Sequence, residues 1–236
     1  MTEKLYHQDA YLQEFEAIVT QVSEERVALD RTAFYPGGGG QPSDLGRMVR
    51  GADEFMVSKV KTDAGEIWHT VDPEGLREGD AVAAYLDWPN RYKLMRTHTA
   101  MHILCGVIWR DYGASVTGGN MTPGRGRMDF EFQRMQKELV EEIEAKINVE
   151  VDAARPISAA VLPREQAFEI PDLIRTKINL LPKGIQQVRV VEIDGLDLQA
   201  DGGTHVANTS EVGPIRVVDY KSKGRINKRL VVELED

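Results

Sequence analysis

Two short motifs far apart in the chain constrain its fold more than any other feature. His98-Thr99-Ala100-Met101-His102 is followed about a hundred residues later by Asp201-Gly202-Gly203-Thr204-His205, and the two hold three of the five histidines. Leu94, His98, Met101, His102, Cys105, Ile108 and Trp109 recur at three- and four-residue steps, which predicts a helix over about 90–111. On such a helix His98 and His102 point the same way, with Cβ atoms about 5–6 Å apart. That spacing lets both imidazoles reach one metal ion at about 2.0–2.1 Å. A third histidine joins them only if the chain folds back on the helix.

Buried imidazoles need partners for both ring nitrogens, so two core histidines held by hydrogen bonds are the bland alternative. His205, beside glycines that permit close backbone approach, favours a metal. Position 99 is Thr, whereas the zinc-peptidase pattern His-Glu-x-x-His needs a glutamate there as general base. A set of His and carboxylate ligands suits Zn²⁺, which lowers the pKa of its water to about 7 and so makes a nucleophile.

The rest of the chain reads as two parts. Over residues 1–88 short β-runs appear at 15–22, 26–29, 47–49, 54–61, 66–70 and 81–86, spaced as in a small barrel. Asp63-Ala64-Gly65-Glu66 has hairpin-turn chemistry. Trp88-Pro89 marks the boundary, with Asp87 as N-cap and Pro89 in the first helical turn. Over 89–236 we expect a strand at 128–132 and an amphipathic helix at 136–152 with Leu139, Val140, Ile143, Ile147 and Val151 inward. Strands at 156–162, 185–193, 215–218 and 229–234 and a short helix after Pro163 complete it. The expected class is α+β, a barrel domain at 1–88 followed by an α+β domain at 89–236.

No apolar run approaches the roughly 20 residues that cross a bilayer, so no membrane partner is expected. With a polar start and the single Cys105, a cytoplasmic location is expected. The net charge of −9 argues against broad nucleic-acid binding. Residues 1–88 hold 17 acidic and 8 basic side chains, leaving 21 of each for residues 89–236 out of totals of 38 and 29. The second part can therefore carry a local basic patch. Its candidates are Arg125 and Arg127 in a Gly-rich loop, Lys183, and the cluster Lys221, Lys223, Arg225, Lys228 and Arg229. Gly37–Gly40 lacks the Gly-x-x-x-x-Gly-Lys-Ser/Thr spacing of a phosphate loop.

The histidine motifs resemble the editing domain shared by alanyl- and threonyl-tRNA synthetases. The run from Arg31 to Gly46, Arg-Thr-Ala-Phe-Tyr-Pro-Gly-Gly-Gly-Gly-Gln-Pro-Ser-Asp-Leu-Gly, resembles the Thr-x-Phe-Tyr-Pro-x-Gly-Gly-Gln-x-x-Asp-x-Gly signature of alanyl-tRNA synthetase editing regions. With no aminoacylation domain beside them, the chain is similar over residues 5–235 to the free-standing alanyl-tRNA editing proteins, AlaX, of medium length. The resemblance implies a hydrolase that deacylates tRNA(Ala) mischarged with serine, with glycine as a second substrate candidate. It also implies one zinc ion per chain, held by His98, His102 and His205.

One departure stands out: the family most often has Cys where this chain has Asp201. Aspartate can ligate zinc through oxygen, turn to solvent, or act as a base towards the water; ligation is the reading we take. Serine exceeds alanine by one hydroxyl, so an editing site that must bond that hydroxyl rejects alanine strongly. Thr32 is the expected reader of that hydroxyl, with Gln41 also assigned to catalysis. Gly39, Gly40, Gly203 and Thr204 are expected to line the substrate. Arg125, Arg127, Lys183, Lys221, Lys223 and Arg225 are the cations for the tRNA end. Two other functions fit the same residues, a tRNA-binding module without catalysis and a zinc hydrolase of small esters. Whether zinc activates water or positions the substrate stays open, as does oligomeric state.

Overall fold

Alternation of buried and exposed side chains along Glu14–Ser23, Asp53–Asp63 and Ala81–Leu86 closes the first part of the chain into a barrel. The computed structural model describes residues 2–132, 136–176 and 184–235. They fall into two compact units, Met1–Leu94 and Met95–Asp236.

The first unit begins with β1 (Glu3–Lys4) and α1 (Leu5–Gln8). Then come β2 (Glu14–Ser23), β3 (Arg26–Leu29), β4 (Arg31–Thr32), β5 (Gly46–Arg50), β6 (Asp53–Asp63), β7 (Glu66–Asp72) and β8 (Ala81–Leu86). Six of these strands close in the order β2-β3-β7-β6-β5-β8, all antiparallel, while β1 pairs β4 in parallel. Phe15, Val19, Val27, Leu29, Met48, Phe55, Ile67 and Val82 fill the interior. The six runs expected from sequence are all present, those at 26–29 and 81–86 with the same bounds and the other four longer by one or two residues at an end. At the β6–β7 turn Ala64 and Gly65 have φ of 49° and 88°, the left-handed pair that a tight hairpin takes.

The next element is the long helix α2 (Trp88–Tyr112), whose residues 95–112 belong to the second unit. Asp87 caps it, accepting from the Asn90 amide at 3.2 Å. The sequence suggests one apolar face, but every residue from Thr97 to Ile108 is buried. This is a core helix rather than a surface one, which is why Thr99 is enclosed as fully as the histidines beside it.

Around it stand β9 (Val116–Thr122), β10 (Arg125–Glu131), α3 (Lys137–Asp152), β11 (Ile157–Pro163), α4 (Arg164–Glu169), β12 (Gln187–Ile193) and β13 (Asp197–Ala200). A 3-10 turn at Thr209–Val212, β14 (Ile215–Ser222) and β15 (Asn227–Leu234) close the unit. The strands form two antiparallel sheets, β14-β15-β10-β9 and β11-β12-β13. Val140, Ile143, Ile147 and Val151 of α3 are buried as expected, and Leu139 is half-buried.

Arg125 and Arg127, expected in a Gly-rich loop, lie in β10 instead. The glycines around them serve packing. A Cβ at Gly126 would stand 2.8 Å from Met101 Cγ, and one at Gly119 would stand 3.3 Å from Met101 Cε. Both strands give up side chains to make room for Met101 of α2. Among the described residues no helix is long and apolar enough to cross a membrane.

Candidate metal centre

Two structural elements build the centre. α2 carries His98 and His102 one turn apart, with ring centroids 5.1 Å from each other. The turn after β13 carries Asp201 and His205, and the His205 ring stands 4.3 Å from that of His98 and 4.7 Å from that of His102. The chain therefore does fold back as the paired histidines require. One ligand atom from each of His98, His102, Asp201 and His205 lies within 4.8 Å of the others. Ligands on zinc arms of about 2.0–2.2 Å stand roughly 3.4 Å apart in a tetrahedron, a spacing that the four atoms approach. Three nitrogens and one carboxylate fit a divalent first-row ion such as Zn²⁺.

The turn is shaped around Asp201. Its Oδ2 lies 3.0 Å from His205 Nε2 and accepts from the Gly203 amide at 2.7 Å, while Oδ1 is 3.6 Å from His98 Nε2. Arg189 on β12 donates to the carbonyls of Asp201 and Gly203 at 3.1 and 3.0 Å, fixing the backbone between them. Gly203 and Thr204, expected against substrate, form this turn, and Thr204 is fully buried.

Behind the rings sit two residues that sequence reasoning missed. His102 Nδ1 is 3.0 Å from Asp197 Oδ2, and His205 Nδ1 is 3.2 Å from Thr99 Oγ1. Thr99 also accepts from the Val206 amide at 3.3 Å. The position that argued against a peptidase thus anchors the third histidine. Nothing local marks Asp197, which lies four residues before Asp201 and 95 after His102.

Burial pushes His98 well below the ordinary histidine range and His205 down to about 4. For His102 burial acts the same way, but the Asp197 carboxylate outweighs it and raises the ring above its ordinary value. Burial opposes the charge on Asp201. The imidazoles around it, His98 first, prevail and hold the carboxyl well below the usual range. Neutral imidazoles and an ionised carboxylate are the states in which these groups bind metal.

The first unit holds the other expected site residues. Thr32 is fully buried. His69 Nδ1 lies 3.1 Å from the Val27 carbonyl, which only accepts, so that nitrogen carries the proton. The Thr32 hydroxyl therefore donates to His69 Nε2 at 2.9 Å, and it accepts from the Phe34 amide at 3.1 Å. Gly39 and Gly40, with φ of 58° and 92°, are the centre of a turn closed by paired Gly38 and Gln41 backbone bonds of 3.0 and 2.9 Å. This is an ordered turn, not a slack loop. Gln41 is buried beside it. Asp44 staples the segment by accepting from the Tyr35 amide at 2.6 Å and pairing with the buried Arg91 guanidinium, which also donates to the Ala33 carbonyl. A Cβ at Gly46 would overlap the Tyr85 carbonyl and the Phe34 ring.

The expected basic residues stand on mixed ground. Arg125, Arg127 and Arg229 point to one face of the β14-β15-β10-β9 sheet, and Asp129 and Glu233 share that face by register. Arg229 forms a two-point pair with Asp129 at 2.7 and 2.8 Å, Arg125 pairs with Glu233, and Lys221 lies 2.9 Å from Asp219. Lys228 is buried, donating to Ser222, Gly224 and Arg225 to lock the β14–β15 turn. Lys223 and Arg225 in that turn are exposed. Lys183 lies outside the described residues.

Comparison with known proteins agrees with this architecture. Residues 4–90 match the family model for tRNA synthetases class II (A), and residues 188–231 match that for the threonyl and alanyl tRNA synthetase second additional domain. The chain is 39% identical over 243 residues to an alanyl-tRNA editing protein AlaX-M of Methanosarcina barkeri, covering 100% of both. It is 40% identical over 235 residues to an AlaX-M of Saccharolobus solfataricus, covering 98% of each. An alanine–tRNA ligase of Ignicoccus hospitalis is 36% identical over 226 residues, 93% of this chain but 24% of the ligase. A barrel, a second unit carrying the histidine–aspartate cluster, and full-length identity at this level place the chain in the AlaX-M family of alanyl-tRNA editing proteins.

Proposed function

We propose that this protein is a zinc-dependent hydrolase that removes serine from mischarged Ser-tRNA(Ala). The observation that carries the reading is the meeting of His98, His102, Asp201 and His205 in one buried cluster. A zinc ion there supplies Lewis acidity, which polarises an ester carbonyl and eases loss of a proton from water. His98, His102 and His205 hold it through ring nitrogens and Asp201 through oxygen. Arg189 keeps the Asp201–Gly203 backbone in place, so the turn enters the reaction already formed.

Thr32 is assigned to the serine hydroxyl. Its own proton is committed to His69, so the capacity left on Oγ1 is that of an acceptor, matched to a substrate hydroxyl that donates. Because the side chain is enclosed, this assignment requires the backbone around it to open when substrate binds. Gln41, Gly39 and Gly40 are assigned to the same substrate, with glycine on tRNA(Ala) as a second acyl group. Arg127, Lys223 and Arg225 are the cations assigned to the tRNA end, with a cytoplasmic location following from that partner.

The test is deacylation of Ser-tRNA(Ala) and Ala-tRNA(Ala) side by side. Serine release with alanyl-tRNA spared is the expected result, and Thr32→Val narrows the gap between the two. Binding of tRNA without turnover would instead favour a catalytically inactive module, and equal turnover of free aminoacyl esters would favour a small-ester hydrolase.

A further inference from the structure

Asp197 is a carboxylate with no surface exposure, placed at the first residue of β13. Burying a charge there is costly unless it is paired. Its Oδ2 lies 3.0 Å from His102 Nδ1 and accepts from Gln199 Nε2 at 2.7 Å. Its Oδ1 lies 3.8 Å from the Arg175 Nε, beyond hydrogen-bond reach. The approach of β13 to α2 depends on Gly106, one turn beyond His102. A Cβ there would stand 2.9 Å from Leu196 Cγ and 3.1 Å from Asp197 Cβ. Sequence and packing have therefore made room for this carboxylate behind one particular ring.

An ionised carboxylate only accepts, so the proton between the pair sits on His102 Nδ1, and Nε2 keeps its lone pair. We propose that Asp197 is a positioning residue of the metal centre, fixing the tautomer and ring angle of His102 and strengthening its Nε2 as a donor. Carboxylates hydrogen-bonded behind a ligating histidine act in this way in zinc sites. The inference rests on the reading that the cluster holds a metal.

The experiment measures zinc affinity by competition with a chromophoric chelator in the full chain, for wild type, Asp197→Asn, Asp197→Ala and His102→Ala. Asp197→Ala is expected to weaken zinc roughly 10–100-fold, and Asp197→Asn, which keeps an acceptor but loses the charge, to fall between it and wild type. The Co²⁺-loaded variants should show a shifted visible spectrum, which a loss of packing alone would not produce. Unchanged affinity and spectrum in Asp197→Ala, with zinc lost in His102→Ala, would overturn the positioning role and leave the metal reading standing. Absence of bound zinc from the wild-type chain under the same competition would overturn the metal reading itself. Should the Asp197 variants not fold, ¹⁵N-histidine NMR of the zinc-loaded wild type decides. A protonated Nδ1 and metal-bound Nε2 on His102 supports the proposal, and the reverse overturns it.

Discussion

Asp201 Oδ2 meets His205 Nε2 at 3.0 Å across Gly202, Gly203 and Thr204, and the Gly203 amide holds the same oxygen at 2.7 Å. The Asp201 carboxylate is thus turned into the cluster, not out to solvent.

A ligand in that position should be exchangeable for another ligand but not for a methyl group. Asp201→Cys is expected to retain stoichiometric zinc, and Asp201→Ala to lose affinity by more than the roughly 10–100-fold typical of an outer partner. Elemental analysis after dialysis checks both. Equal zinc in Asp201→Ala and wild type would remove Asp201 from the ligand set.

Asp44 and Arg91 form a buried ion pair under the Tyr35–Gly46 segment. Arg91→Met leaves the Asp44 carboxylate without its counter-charge and is expected to cost about 3–5 kcal/mol. Adding Asp44→Asn, which keeps an acceptor for the Tyr35 amide, should recover most of that loss. Urea unfolding of the single and double variants measures the coupling. A double variant as unstable as Arg91→Met would show that the pair contributes packing rather than charge balance.

His69 gives the barrel a pH dependence of known sign. Burial lowers its pKa from 6.5 to about 4, against the opposing pull of the Val27 carbonyl. Its folded pKa lies below its unfolded one, so the unfolded chain binds more protons between those values. The contribution of neutral His69 is complete above pH 6.5 and is lost as pH falls towards 4, about 3 kcal/mol in all. His69→Gln should flatten the difference in unfolding free energy between pH 7 and pH 4.5, and an unaltered slope would assign it elsewhere.

How much of this was legible in the sequence depended on how local the cause was. Asp87 before Pro89 and the Ala64-Gly65 turn act on their neighbours, and the helix start and the hairpin stood where local chemistry put them. β9 did not, because Gly118 and Gly119 argue against a strand until Met101 is known to pack on it. The clustered histidines were readable from their spacing. Asp197, Thr99 and Arg189 were not, since each is chosen by contacts that exist only once the chain has folded back on α2. The partners of Lys228 and Arg229 within their own sheet were hidden for the same reason.

The central claim is that the cluster of His98, His102, Asp201 and His205 does its chemistry through a bound divalent ion. Its most direct test is serine release from Ser-tRNA(Ala) by chelator-stripped protein, before and after one equivalent of zinc, with His98→Ala in parallel. The account predicts no release from stripped protein, recovery on adding zinc, and none from His98→Ala in either state. Full release from the stripped protein or from His98→Ala would contradict it.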